Sequence, residues 1–463
     1  MIKNYTYINA VFLLLIFVSC TKTKVDKTYF GGQIINPKTD HVILFEKETP
    51  IDTFYLAENN RFLAEIENIK EGLYYFRHAD EFQYIYLEPK DSLLIRLNTL
   101  NFDESLVFSG KGAERNNFLL DCFMDAETEN KRFYEYYMLN PTDFSKVVDS
   151  LETVMLKKYD EFYSRNREET KEFLTFLKTA LTYPLYSKIE NYPLNHARIL
   201  KKKNFPTTDE NFYKHRDAII LDNESLVYYS VYSNFLTNYL YNKTYASGFT
   251  PKTKDYSARF TKKLLEITNE NIKVESTKNI LLKQQIKYHF FRNSQSTINQ
   301  GVFNTYFSLN TNLEFGNQIK SLVGDLDKVK ENQEIINFSL FDFNDTQFYI
   351  KEIIKGKNTV LYFWNPKYIS ENFLSSRINY LITNNINVQF IGIKIDGNNE
   401  RHIEKLDIKN QYYIDESSIA NTYLTSKYPR VILLDKNGIV KNSYASISSK
   451  KIYTQVRTLN KTN

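Results

Sequence analysis

Cysteine is almost missing from this chain, with Cys20 and Cys122 the only two in 463 residues. A disulfide-stapled scaffold is therefore excluded. Histidine is scarce too. His41, His78, His196, His215, His289 and His402 show no His-x-x-x-His or Cys-His spacing, so neither metal nor cofactor is expected. Glycine, at 13 residues, forms no phosphate-cradling loop. Charge of one sign is also lacking, since 60 basic residues face 55 acidic ones. That balance gives no reason to expect a nucleic-acid partner. After the N-terminus no apolar run approaches the roughly 20 residues that span a bilayer. Aromatics are plentiful, with 36 Tyr and 34 Phe against the single Trp364.

The first residues read as an address. Lys3 is followed by an uninterrupted apolar run from Val11 to Val18, then Ser19 and Cys20. Eight apolar residues suit a signal-peptide core and are too few for a membrane span. Phe17-Val18-Ser19-Cys20 resembles a bacterial lipobox. The resemblance implies cleavage before Cys20, acylation of Cys20 (palmitate among the chains), and anchoring to a membrane. Thr21-Lys22-Thr23-Lys24 carries no acid. By analogy this favours the outer membrane, facing the periplasm. Residues 1–19 hold only Lys3, leaving 59 basic against 55 acidic residues, about +4. The one basic cluster, Arg198 with Lys201-Lys202-Lys203, reads as a solvated helix end or loop. Paired acids such as Asp125/Glu127 and Glu168/Glu169 read as solvated helix faces.

At 463 residues about three domains are expected, giving a multidomain α+β chain. After a tether at 20–27, residues 28–112 show seven short strand patterns separated by turns such as Asn36-Pro37 and Pro89-Lys90-Asp91. They predict an antiparallel β-sandwich. Residues 113–330 carry apolar residues at helical spacing and predict a helical bundle. Cys122 lies in one such apolar stretch and reads as a core residue. Tyr228, Tyr232, Phe235 and Tyr239 form an aromatic stripe that reads as helix packing.

Residues 331–463 carry the firmest pattern. Thr359–Phe363 is a buried-strand run, Glu371–Thr383 a helix and Val388–Ile395 a second strand apolar on both faces, hence parallel. A helical stretch around Arg401 comes next. Arg430–Leu434 and Ile439–Ser443 flank Asp435-Lys436-Asn437-Gly438, a hairpin turn. This β-α-β unit with a closing hairpin is a thioredoxin-type topology. The segment resembles the TlpA/ResA-like thioredoxin-fold proteins of the bacterial envelope, and the preceding strands resemble the small β-sandwich of many such lipoproteins. Phe363-Trp364 matches the family's aromatic pair ahead of its active-site turn, and Tyr428-Pro429-Arg430-Val431 its proline segment.

One departure decides the chemistry. Counted from Trp364, the family's two thiol positions hold Tyr368 and Glu371. Neither forms a mixed disulfide, so dithiol exchange is excluded there. The resemblance leaves a peptide-binding groove at Trp364, Tyr368, Glu371, Tyr428 and Pro429, with no catalytic residue assigned. The leading expectation is a redox-inactive binding or scaffold lipoprotein for a peptide or envelope-protein partner. Two rivals stand beside it: an oxidoreductase using Cys122 with a partner-supplied thiol, and a glycan-binding accessory protein.

Overall fold

The computed structural model describes residues 26–79, 81–293, 299–365, 371–395 (backbone only at 371–373), 410–426, 429–447, 449 and 451–461. The expected signal and lipobox segment, Tyr368, Tyr428 and the stretch around Arg401 lie outside these residues. The chain divides into two compact units. The first runs to Asp125 and includes Glu169–Thr175; the second comprises Ala126–Glu168 and Phe176 onward. Among the described residues no helix is long and apolar enough to cross a membrane.

In the first unit eight strands form two sheets: β1 (Lys27–Ile35), β2 (His41–Glu46), β3 (Thr49–Tyr55), β4 (Arg61–Glu67), β5 (Gly72–His78), β6 (Glu81–Leu87), β7 (Ser92–Asn98) and β8 (Val107–Lys111). The orders are β4-β1-β7-β8 and β3-β2-β5-β6. Alternate residues from both sheets, such as Phe30, Leu44, Phe76, Ile85 and Leu97, share one core. This is what period-2 patterning produces when one face of each sheet is covered. The expectation of wholly antiparallel pairing is corrected by β1 and β7, which run parallel from Tyr29↔Ser92 to Ile35↔Asn98. Parallel neighbours need a long connection, and here the intervening chain builds the second sheet before returning. Gly32 makes that ladder possible. Its φ is +153°, and a Cβ there would lie 2.0 Å from the Ile95 carbonyl oxygen.

The second unit opens with helices. They are α1 (Ala113–Asn130) and α3 (Lys171–Ile199), which both begin in the first unit, with α2 (Pro141–Arg165) between them, then α4 (Ser230–Ala246), α5 (Ala258–Asn271), α6 (Glu275–Asn293), α7 (Gln300–Leu309) and α8 (Leu313–Lys328). Asn140 caps α2 by accepting from Asp143 N, with Pro141 in the first turn. On α4 the aromatic stripe is buried as helix packing at Tyr232, Phe235 and Tyr239. Leu282, Ile286, Phe303, Tyr306, Ile319 and Leu322 pack α6, α7 and α8 around one core, which Tyr444 from the C-terminal sheet enters.

That sheet has seven strands: β9 (Ser339–Phe341), β10 (Gln347–Tyr349), β11 (Thr359–Trp364), β12 (Gln389–Lys394), β13 (Gln411–Tyr413), β14 (Arg430–Leu434) and β15 (Val440–Ala445). Their order is β10-β9-β13-β12-β11-β14-β15. β11 and β12 are parallel and joined through α9 (Glu371–Thr383), while β14 is antiparallel to β11. The Asp435–Gly438 turn leads into β15, with Gly438 at φ +74°, and α10 (Lys451–Lys461) closes the chain. The predicted β-α-β unit and terminal hairpin are therefore present.

Candidate functional site

All six residues of β11 are buried, because side chains of both parities are apolar. Val360, Tyr362 and Trp364 face the helices through Leu374 and Ile378 of α9 and Ile452 and Val456 of α10. Leu361 and Phe363 enter the opposite core with Phe338, Tyr423 and Ile432. Ligands of open α/β sheets gather beyond the carboxyl ends of the parallel strands. Here that edge is made by Trp364 and Lys394, register partners on β11 and β12. The Trp364 carbonyl accepts from Ile395 N at 3.1 Å. Phe363 lies opposite Arg430, so Pro429 directly precedes the strand position facing the end of β11.

Of the sequence-predicted groove residues, Trp364 and Pro429 are thus brought to one edge. The Trp364 ring is 2% exposed and belongs to the core, so it presents no side-chain surface to a groove. Pro429 is half-buried. Glu371 begins α9; its side chain, with Tyr368, Tyr428 and Cys20, lies outside the described residues. Cys122 is buried on α1. No sulfur atom of any kind occurs after Met155. Tyr362, beneath the edge, holds a buried hydroxyl without a hydrogen-bond partner, and burial pushes its pKa well above the ordinary value.

Sequence reasoning missed what stands behind the Pro429 segment. Arg430 is completely buried. Its Nε donates to the Ser443 carbonyl at 2.8 Å, and its Nη1 to the carbonyls of Asp325 (2.8 Å) and Tyr423. Its Cζ lies 4.8 Å from the Tyr444 ring centroid. Among the described residues no carboxylate hydrogen-bonds it, and Nη2 has no partner. Burial accordingly pushes its pKa down to about 10, which Tyr444, Asp325 and Tyr423 only partly offset.

Asp325 on α8 is equally buried. Its Oδ1 accepts from Thr425 N (2.8 Å) and Oγ1 (2.6 Å), and its Oδ2 from Ser426 N (3.2 Å) and Oγ (2.6 Å). Thr425 and Ser426, shortly before Pro429 in the chain, are thus pinned by a helix about 100 residues earlier. Two signals were in the sequence. Arg430 opens an otherwise apolar strand, and Asp325 continues the i, i+3 stripe of Ile319 and Leu322.

Elsewhere several buried charged groups have structural partners. His215 Nε2 lies 2.9 Å from Glu190 Oε1, and Arg216 donates to both Glu190 oxygens at 2.9 and 2.6 Å. Those partners outweigh burial and hold the Glu190 carboxyl below its ordinary range. Glu169, expected on a solvated face, is instead drawn into an ion pair with Arg115 Nη1 at 3.0 Å and is 14% exposed. The buried guanidinium needed a counter-charge, and Glu169 is one of those that supply it. Among the described residues no group of three or more His, Cys, Asp or Glu could hold a metal ion.

No family model and no curated protein matches this chain. Among solved structures it is similar to a candidate thiol-disulfide oxidoreductase from Bacteroides vulgatus, with 21% identity over 29% of this chain and 99% of that one, and a TM-score of 0.25. A candidate thiol:disulfide interchange protein DsbE from Chlorobium tepidum shows 12% identity over 28% and 99%, with a TM-score of 0.25. A thiol:disulfide interchange protein from Bacteroides sp. shows 16% identity over 28% and 90%, with a TM-score of 0.23. These neighbours are thioredoxin-like, and the stretch in common is under a third of this chain.

Proposed function

We propose that this chain is a redox-inactive envelope lipoprotein whose thioredoxin-like portion binds an extended peptide or a protein partner. The observation that carries the reading is a juxtaposition. The end of β11 meets the Pro429 segment through the Phe363↔Arg430 pair, yet the chain has no sulfur after Met155. A disulfide exchanger needs a thiolate at that place. What remains is backbone: the residue before Pro429, Tyr428, has main-chain groups suited to pairing with an extended strand. Cys122, buried on α1, is poorly suited to substitute as a nucleophile.

The reading extends to placement and layout. Cys20 carries the lipid, after a signal peptide at 1–19, and the protein sits on the outer membrane facing the periplasm. The body comprises a tether at 20–27, a β-sandwich at 28–112, a helical domain at 113–330 and the thioredoxin-like domain at 331–463. Insulin reduction tests the chemistry. The full chain is expected to show no turnover above buffer, unchanged by Cys122→Ser, and turnover like that of an ordinary thioredoxin would overturn the proposal. Crosslinking in intact cells tests the binding role: a photocrosslinker at Tyr428 is expected to capture a discrete partner, which the same probe at exposed Lys157 does not.

A further inference from the structure

A second feature, unrelated to the thioredoxin-like edge, lies in the helical region of the second unit. A cavity of about 640 Å³ is lined by the end of α3, the loop between α4 and α5, and the end of α6. Six cationic side chains line it: Arg198, Lys201, Lys202, Lys252, Lys254 and Arg292. Asp255 is the single carboxylate in the lining. Among the described residues none of the six cations forms an ion pair.

The partners they do have are neutral. Arg198 donates to the Pro251 carbonyl and the Tyr245 hydroxyl, each at 3.0 Å. Arg292 stands over the Tyr256 ring at 4.7 Å, and its Nε is buried with no hydrogen-bond partner. Lys254 and Lys451 crowd the same ring at 5.9 and 5.4 Å. Burial first, then Arg292 and Lys254, lower the Lys451 pKa. Helix capping does not account for the cluster. Backbone N–H groups of Lys201 and Lys202 already close α3 on the carbonyls of Arg198 and Ala197, leaving their side chains uncommitted.

We propose that this cavity binds a phosphate-bearing anion carrying at least two negative charges. The four lysines are exposed, so solvent screens their repulsion, and the positive potential they share with Arg198 and Arg292 stays open to a compact counter-charge. Guanidinium forks with ammonium groups match phosphate oxygens in number and geometry. The volume is that of a small-molecule site, whereas a long polyanion needs a stripe of charge along an open surface. Two sources present that one recognition chemistry, a free metabolite-sized molecule and a lipid headgroup.

Calorimetric titration of the full chain in roughly 150 mM salt tests this with two probes. One is sodium pyrophosphate; the other is dihexanoyl phosphatidic acid kept below its micellar concentration. One equivalent of at least one probe is expected to bind with a Kd below about 100 μM. Tighter pyrophosphate binding assigns the free source, and tighter phosphatidic acid binding the headgroup. Lys201→Gln with Lys254→Gln should weaken binding about tenfold, while Lys146→Gln with Lys157→Gln on α2 leaves it unchanged. Should the double variant lose its native circular dichroism, Lys254→Gln alone carries the comparison, with about a threefold loss. Absence of binding up to about 1 mM, or equal weakening by the α2 variant, overturns the assignment.

Discussion

Arg115 and Arg430 are both buried, and they live in opposite surroundings. In the first unit Arg115 sits against three carboxylates. Its Nη2 contacts both oxygens of Asp91 at 3.0 Å, and its Nη1 reaches Glu169 at 3.0 Å. Glu88 Oε1 lies 2.5 Å from Nη1 without hydrogen-bond geometry, so that contact is charge on charge. Burial alone would lower the Arg115 pKa, but Asp91, Glu169 and Glu88 outweigh it and raise it. In the second unit Arg430 meets only carbonyls and a ring, and burial wins. The first arginine is an electrostatic staple joining the turn after β6, the start of α1 and the segment before α3. The second is a spacer that uses hydrogen bonds to hold backbone in place.

The contrast is broken most severely by Arg115→Met. It leaves Asp91, Glu88 and Glu169 together without their cation, and should cost the first unit about 3–5 kcal/mol. Loss of hydrogen-exchange protection across β6 and β7 measures it. Arg430→Met removes an ill-solvated charge while forfeiting three carbonyl bonds. These terms nearly cancel, so the second unit should change by about 1–2 kcal/mol at most, read as protection in β14. If Arg430→Met proves as damaging as Arg115→Met, the distinction between staple and spacer fails.

Mild acid gives the smallest effect and sharpens the comparison. Burial raises Glu88 and Glu169 above their ordinary 4.5, with Arg115 opposing. The folded first unit therefore binds protons that the unfolded chain does not. The contribution of Glu88 and Glu169 to its stability should rise as pH falls from neutrality towards 4.5 and be lost again as pH rises through the folded pKa values, while His78, whose pKa burial lowers, works the other way as pH falls through 6.5. Glu190 is depressed; its contribution is fully present above 4.5 and is lost only as pH falls through its lower folded value. Between pH 7 and 4.5, exchange protection in the first unit should therefore gain more in the wild type than in Glu88→Gln with Glu169→Gln, with no loss around Glu190.

How much of this was legible depended on sequence distance. β11, α9 and β14 were readable because apolar runs and an Asn-Gly turn are local signals, and the observed α9 and β14 have the predicted bounds. β3 was missed because Thr49 to Asp52 face solvent around Pro50, leaving no alternation to read. α7 and α8 contain Gly301, Gly316 and Gly324, which weaken a helical pattern. The candidate site was less accessible still. Pro429 and the end of β11 were placed together through a resemblance. Asp325 with Thr425, and Arg115 with Glu169, are pairs separated by 100 and 54 residues, and no window of local pattern connects them.

The four bonds from Asp325 have a practical corollary for anyone dissecting the molecule. A fragment beginning at Glu331 would carry the whole seven-stranded sheet yet discard α8. Thr425 and Ser426 would then lose the acceptor of both their amides and both their hydroxyls, and Arg430 would lose the Asp325 carbonyl. Tyr444, excised from its nest of Phe290 and Leu282, would face water. An autonomous C-terminal piece must therefore start upstream of Glu275, where the helix that carries Leu282 and Phe290 begins.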